Sequence, residues 1–227
     1  GLPPTAFVNF LQNHDQIGNR AFGERLAALA PPEAVRAATA ILLLAPQCPL
    51  LFMGQEWGAL EPFLFFSDLG ADLADAVGEG RRREFARFPE FAAPAARERI
   101  PDPQAPASHE RSVLDWTAPE RQPHREWLEF HRRLLALRHR EIVPLLAGGA
   151  SPATHLSLVG ETGLEATWRF PGGAVLRLVA NLGLRSVNHL GPRAEWGRPL
   201  HALGLPGGGW QALPPWSAAW YRGEGGV

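Results

Sequence analysis

Apolar runs alternate with polar turns along the first sixty residues. A short β-compatible run over 7–11 ends in polar residues, an apolar segment over 34–45 lies between prolines, and a second short apolar run spans 49–53. Short bounded runs of this kind are typical of buried parallel strands, and the longer segment predicts a helix packed on a sheet. The order strand, helix, strand predicts a βαβ unit.

The rest of the chain changes character twice. No periodic pattern dominates 57–124, where only 79–88 is compatible with a short helix. The segment 125–142 places apolar residues at helical spacing and predicts an amphipathic helix. Three short apolar runs separated by Gly/Pro turns then predict a small antiparallel β-sandwich. These runs are 154–159, 165–170 and 175–181.

Composition and charge narrow the class of protein. The 227 residues are 45% hydrophobic, so a sizeable core can form, and a net charge of -1 argues against nucleic acid or an anionic membrane as a partner. The absence of a secretory signal or membrane-spanning stretch in the sequence leads us to expect a cytoplasmic protein. The histidines and the one cysteine lack ligand spacing, so no metal and no cofactor are expected.

The polar end of the first apolar run carries the candidate chemistry. Asn13, His14 and Asp15 follow the run, and Gly18 and Asn19 come within the next turn. In α/β folds functional side chains collect beyond the carboxyl ends of strands, which favours an active-site edge here. The alternative is a helix start in which Asp15 is the N-cap and accepts backbone N–H bonds.

Four segments in order sharpen this interpretation, and a fifth extends it. They are 12–20 (QNHDQIGNR), 49–58 (PLLFMGQEWG), 62–68 (PFLFFSD), 100–104 (IPDPQ) and 110–116 (ERSVLDW). Together they resemble the malto-oligosyltrehalose trehalohydrolase family, within the α-amylase clan of glycoside hydrolases. The resemblance implies an α/β part followed by an all-β part. The first, 1–145, would be the C-terminal portion of a (β/α)8 TIM barrel with its last two βα units, and the second, 146–227, a β-sandwich domain.

The resemblance also implies roles for the residues around the His-Asp pair. Asp15 corresponds to the carboxylate that stabilises the transition state, and His14 to a residue that hydrogen-bonds the same sugar. The adjoining substrate-contact loop corresponds to Gln16, Ile17, Gly18 and Asn19. The expected substrate is malto-oligosyltrehalose or a related α-glucan, cleaved at the α-1,4 bond next to the terminal trehalose.

The two other carboxyl groups of such an active site are missing from this sequence. In the family the nucleophilic aspartate and the acid glutamate lie in motifs upstream of the His-Asp segment, and neither motif occurs here. We therefore expect a fragment that is inactive alone and that needs the N-terminal half of the barrel as its partner.

Other interpretations and residues stay open at this point. The chain could belong to another α-amylase-clan enzyme, such as an amylase or branching enzyme, or be a non-catalytic carbohydrate-binding module. A metal-dependent phosphohydrolase with a His-Asp pair is disfavoured, because such pairs lie on a helix with further ligands. Glu56 is expected to bond Arg20 or backbone, Asp68 and Asp102 receive no chemical role, and the basic run 81–83 is expected to be solvated. Three aromatic residues could stack on sugars or pack a long loop: Trp57, Phe63 and Phe66.

Overall fold

A computed structural model describes residues 2–147, 149, 151–206 and 209–225. The helices are α1 His14–Gly18, α2 Leu26–Leu29, α3 Pro32–Leu44, α4 Ala71–Phe85, α5 Pro94–Glu98, α6 Pro106–Glu110 and α7 His124–Glu141. The strands are β1 Val8–Asn9, β2 Cys48–Pro49, β3 Ala153–Val159, β4 Gly163–Arg169, β5 Ala174–Asn181, β6 Val187–Asn188, β7 Arg198–Leu203, β8 Ala212–Leu213 and β9 Ser217–Glu224. None of the helices in these described stretches is both long and apolar enough to cross a membrane.

The predicted βαβ unit is confirmed, although its strands are short. β1 and β2 pair in parallel, and α3 connects them. The helix begins at Pro32, whose fixed φ suits a first turn and whose missing N–H is not needed there. The prediction of a strand over 49–53 was wrong beyond its start. After the Leu50 N–H donates to the Asn9 carbonyl, the chain leaves the ladder and turns at Gly54, whose φ of 83° favours glycine.

The long helix and the predicted strands are also confirmed. α7 matches the segment 125–142, while α4 begins earlier than the predicted helix over 79–88 and ends at Phe85. β3, β4, β5, β9 and β7 form one antiparallel sheet in that order. The three predicted runs correspond to β3, β4 and β5, so the periodicity of their apolar residues located them well.

The predicted sandwich has one large layer and one very small one. β6 and β8 form a separate two-stranded sheet, and Leu213 of β8 packs with Val179 and Tyr221 of the large sheet. Residues next to these in β5 and β9 point to the opposite face, where Trp220 is fully buried. α3 lies against β9. Helical cover therefore replaces much of the second sheet that the sequence predicted.

Contacts divide the chain into two compact units. One contains Gly1–Leu11, Ala30–Leu50 and Glu129–Val227, and the other contains Gln12–Leu29 and Leu51–Leu128. The first unit therefore joins the βαβ segment with the antiparallel sheet. The domain boundary predicted after residue 145 stays a prediction.

A buried arginine fixes the end of α3. Arg138 is only 6% exposed, and its guanidinium donates to the carbonyls of Leu43 at 3.0 Å, Ala45 at 2.5 Å and Gln47 at 2.7 Å. The last carbonyls of a helix have no partner within the helix, so this side chain satisfies them. Burial lowers the pKa of Arg138 below its usual value. The contacts hold α7 against the turn that leads into β2.

A buried carboxylate joins α7 to the antiparallel sheet. The Glu141 side chain is 6% exposed and accepts hydrogen bonds from Arg140 at 3.0 Å, Arg222 at 2.9 Å and Arg198. Burial by itself would raise the pKa of Glu141, but the three arginines outweigh it and hold the pKa below its usual value of about 4.5. A carboxyl group with a lowered pKa in the folded state stabilises the protein above pH 4.5, and this contribution is lost as the pH falls through the folded-state pKa.

Glu141→Gln should therefore reduce stability at pH 7 and much less at pH 3. The variant leaves the arginines without a charged partner at neutral pH. At pH 3, below 4.5, the carboxyl group of the unfolded wild-type chain is protonated, so part of the stabilisation by the folded carboxylate is already lost. Urea unfolding at both pH values measures the difference in free energy of unfolding between variant and wild type. Glu129→Gln, an exposed position on the same helix, is the control and should show no such pH-dependent gap. A gap that stays constant between pH 7 and pH 3 would contradict the assignment.

Candidate functional site

The predicted site residues lie on a one-turn helix, which we call the His-Asp turn (residues 13–19). Asn13 is its N-cap, and its side-chain oxygen accepts the Gln16 N–H at 3.0 Å. The turn closes where the Asn19 N–H donates to the Asp15 carbonyl at 3.0 Å. The alternative with Asp15 as the N-cap is therefore wrong. Because the Asn13 side chain accepts the Gln16 N–H, the Asp15 carboxylate is not needed as the cap of the helix and can bind another group.

The His-Asp turn presents its polar side chains outward. The side chains of His14 and Asp15 are 69% and 72% exposed, and His14 Nε2 lies 3.4 Å from Asp15 Oδ1. Gln16 and Asn19 are exposed as well. Ile17 is fully buried and anchors the turn. A carboxylate, an imidazole and two amides on one surface can accept and donate hydrogen bonds to several hydroxyl groups at once.

Gln12 and Phe63 support the turn from the protein interior. Gln12 is 3% exposed, and its side-chain oxygen accepts the Leu26 N–H at 2.9 Å. The Phe63 ring would lie 3.8 Å from a Cβ atom built on the buried Gly18, so the two are in close packing. The Phe63 N–H donates to the Gly23 carbonyl at 2.9 Å. The roles of all predicted site residues in contacting a substrate stay predictions.

Arg81 also holds the turn, which sequence reasoning missed. The basic run was expected to be solvated, and for Arg81 this was wrong, because it is 8% exposed. Its Nη2 donates to the carbonyls of Gly18 at 2.9 Å and Arg20 at 2.8 Å. The rings of Phe65 and Phe85 flank the guanidinium at 4.9 Å and 5.2 Å. Burial lowers the pKa of Arg81. In the sequence, the spacing of four residues between Arg81 and Phe85 was the one sign that the arginine could pack against an aromatic ring.

A second buried arginine organises the segment that follows β2. Arg25 has no exposed surface, and it donates to the carbonyls of Met53 at 2.7 Å and Glu61 at 2.5 Å. Burial lowers the pKa of Arg25, and the carboxylates of Glu61 and Glu56 oppose this effect. Glu56 was expected to bond Arg20 or backbone. Among the described contacts its carboxylate makes neither bond, and the Arg20 guanidinium donates to the Glu24 carbonyl. Glu56 instead acts on Arg25 through its charge.

The loop aromatics divide into packed and accessible side chains. Trp57 is 4% exposed and belongs to a buried cluster, so it packs rather than offers a stacking surface. Phe63, Phe66 and His109 line a cavity of about 190 Å³ together with Trp116. The Trp116 side chain is 71% exposed, and its ring centroid lies 5.4 Å from that of Trp57. Sequence reasoning did not single out Trp116, although it closes the last matching segment.

Two aspartates fix loops near these aromatics. The Asp115 carboxylate accepts bonds from the Thr117 hydroxyl at 2.7 Å and from Arg121, which lowers its pKa to about 2. Asp102 accepts the Gln104 N–H at 3.0 Å, and the Gln104 side chain donates to the Ser67 hydroxyl. Both carboxylates therefore have structural partners. Asp68 is exposed in the same region.

The described part of the chain contains no set of side chains that could bind a metal ion. Across residues 2–147, 149, 151–206 and 209–225, no group of three or more His, Cys, Asp or Glu side chains is placed to hold a metal ion. The expectation that the protein works without a metal or cofactor stays a prediction.

Comparisons with known proteins agree with the motifs. The family described as "Domain of unknown function (DUF3459)" matches residues 153–220. The chain is 47% identical over 138 residues to the malto-oligosyltrehalose trehalohydrolase of Arthrobacter ramosus. This match covers 60% of this chain and 23% of that protein. It is 37% identical over 220 residues to the malto-oligosyltrehalose trehalohydrolase of Brevibacterium helvolum, covering 95% of this chain and 35% of that protein.

A solved structure is similar over nearly the whole chain. A Salmonella typhimurium protein solved as a candidate alpha amylase superposes with a TM-score of 0.86 at 41% identity, covering 99% of this chain and 36% of that one. The chain therefore spans between 23% and 36% of the length of these three relatives. The resemblance that the sequence motifs indicated is confirmed.

Proposed function

We propose that this chain, a homologue of malto-oligosyltrehalose trehalohydrolases, is the C-terminal part of a glycoside hydrolase of the α-amylase family. The whole enzyme would cleave the α-1,4 bond next to the terminal trehalose of malto-oligosyltrehalose and release trehalose. One observation carries the proposal. The segment that matches these relatives places His14 and Asp15 on an exposed, well-supported turn.

Asp15 would stabilise positive charge in the transition state. Retaining glycosidases use two carboxyl groups about 5–5.5 Å apart, one as nucleophile and one as acid and base. A third carboxylate beside the scissile bond favours the oxocarbenium-like sugar without taking part in bond formation. The Asp15 side chain is exposed, and Asn13 rather than Asp15 caps the helix, so the Asp15 carboxylate is accessible to a sugar. His14, Gln16 and Asn19 would bond the surrounding hydroxyl groups.

The surface around β1 supports the proposed barrel. Phe7, Val8 and Phe10 are 49%, 57% and 39% exposed, although they belong to an apolar run next to a parallel strand pair. Parallel strands are normally covered on both faces. An adjoining strand and its helix from the missing half of the barrel would cover these side chains. The fold proposal is therefore the last two βα units of a (β/α)8 barrel, followed by the antiparallel sheet.

A chimeric enzyme tests the proposed function. The third of the Brevibacterium helvolum trehalohydrolase that matches this chain would be replaced by this chain, because the match covers 95% of it. We expect the chimera to release trehalose from malto-oligosyltrehalose, whereas the same enzyme lacking that third should not. A folded chimera that shortens amylose but releases no trehalose would favour the amylase alternative. A folded chimera with neither activity would contradict the proposal.

A further inference from the structure

We infer that Arg81 is a positioning residue that sets the orientation of the His-Asp turn. The inference rests on the proposed function for its consequence in catalysis, but its geometry stands independently. Arg81 lies on α4, more than sixty residues along the chain from the carbonyls that it binds.

Arg81 bonds two carbonyls at the C-terminal end of the His-Asp turn and directly after it. Its Nη2 is 2.9 Å from the Gly18 carbonyl oxygen and 2.8 Å from the Arg20 carbonyl oxygen. The last carbonyls of a helix lack intrahelical partners, and a cation is favoured at that end. One nitrogen therefore fixes two points of the backbone, one within the His-Asp turn and one directly after it.

The guanidinium is locked in place by aromatic rings. Phe65 lies in the loop after Phe63, and Phe85 lies one helical turn beyond Arg81 on α4. A buried charge is costly unless it is paired or hydrogen-bonded. The bonds to the two carbonyls therefore offset the cost of burying the Arg81 guanidinium. The side chain thus links α4, the aromatic loop and the His-Asp turn.

A turn of this length depends on such outside contacts. An isolated helical turn fixes several dihedral angles for very few hydrogen bonds and is unstable alone. Ile17 anchors the turn in the interior and Phe63 packs on Gly18, while Arg81 bonds the carbonyls at the far end. Catalysis is sensitive to misplacements of about 1 Å, which can cost about a hundredfold in rate. Loss of Arg81 would leave Asp15 present but poorly oriented.

Hydrogen exchange on the full chain tests this role directly. We expect Arg81→Met to accelerate exchange of the Ile17, Asn19 and Arg20 amides by at least about tenfold, since a hydrogen bond from a charged donor is worth roughly that factor or more. Arg81→Lys should recover part of the protection, because its ammonium group keeps the charge but ends one bond short of the position of Nη2. Arg138→Met is the matched control, since Arg138 is similarly buried and also bonds backbone carbonyls. Arg138→Met should leave the exchange rates of these amides within about threefold of the wild-type rates, because the amides exchange by local opening of the turn.

Each outcome decides the inference. Unchanged exchange in a folded Arg81→Met variant would overturn it, as would equal acceleration by Arg138→Met. If Arg81→Met does not fold, Arg81→Gln takes its place, and turn amides as well protected as in the wild type in a folded Arg81→Gln variant would overturn the inference. In the chimera, Arg81→Met should lower kcat more than it raises KM, with partial recovery in Arg81→Lys. An inactive parent chimera combined with the expected exchange pattern would refute the proposed function and leave the positioning role intact.

Discussion

Asp15→Asn in the chimera should lower kcat for trehalose release by about a thousandfold or more. Removing a preorganised group that stabilises transition-state charge typically costs about 10²–10³ in kcat, and here a full negative charge is lost. Asparagine keeps the shape of the side chain and can still bond sugar hydroxyls, so KM should change little. The measurement is steady-state kinetics with malto-oligosyltrehalose as substrate.

A neighbouring carboxylate provides the control for this prediction. Glu56→Gln removes a charge that interacts with Arg25 and has no proposed role in the reaction. We expect a change in kcat of less than about tenfold for that variant. Equal losses in the two variants, or a loss in Asp15→Asn that appears only in KM, would contradict the transition-state role of Asp15.

The chain by itself should release trehalose at a rate at least about 10⁵-fold below that of the chimera. Catalytic groups act as a unit, and losing essential members removes almost all of the rate enhancement. Asp15 can stabilise charge, but it cannot also be the nucleophile and the proton donor. An end-point assay with excess chain and malto-oligosyltrehalose measures this. Trehalose release by the chain alone would show that it holds a complete active site.

Calorimetric titration of the same chain separates an inactive part from a binding module. The proposed portion of a barrel would offer only one side of the sugar site, so we expect no saturable heat with maltotriose or trehalose. Millimolar ligand concentrations are used, at which complexes with a Kd of about 1 mM would show binding. Saturable binding would favour the alternative of a carbohydrate-binding module. The antiparallel sheet would then be the first place to look for the sugar site.

Local pattern predicted α3, α7, part of α4 and the strands β1 to β5, but not the helices α2, α5 and α6 or the strands β6 to β9. α3 and α7 carry clear apolar patterns bounded by proline or by polar residues, and β3, β4 and β5 alternate with Gly/Pro turns. The second layer of the sandwich could not be predicted in the same way. Whether a second sheet or a helix covers the face of β9 depends on contacts between distant parts of the chain, which no local pattern encodes.

The candidate site shows the same division. The motif over 12–20 identified His14 and Asp15, and the structure places both on an exposed turn. Three neighbouring polar residues follow in the chain, so sequence order alone did not show that Asn13, rather than Asp15, would be the N-cap. The burial of Arg81 was unpredictable from a run of three arginines, because it depends on carbonyls about sixty residues away.

A crystal structure of the Asp15→Asn chimera with malto-oligosyltrehalose bound is the most direct test of the central claim. We expect His14 and the residue at position 15 to lie within about 3.2 Å of hydroxyl oxygens of one sugar ring next to the scissile bond. We also expect the Arg81 side chain still to hold the turn from behind. A substrate bound away from the His-Asp turn, with the side chain at position 15 facing solvent, would contradict the claim.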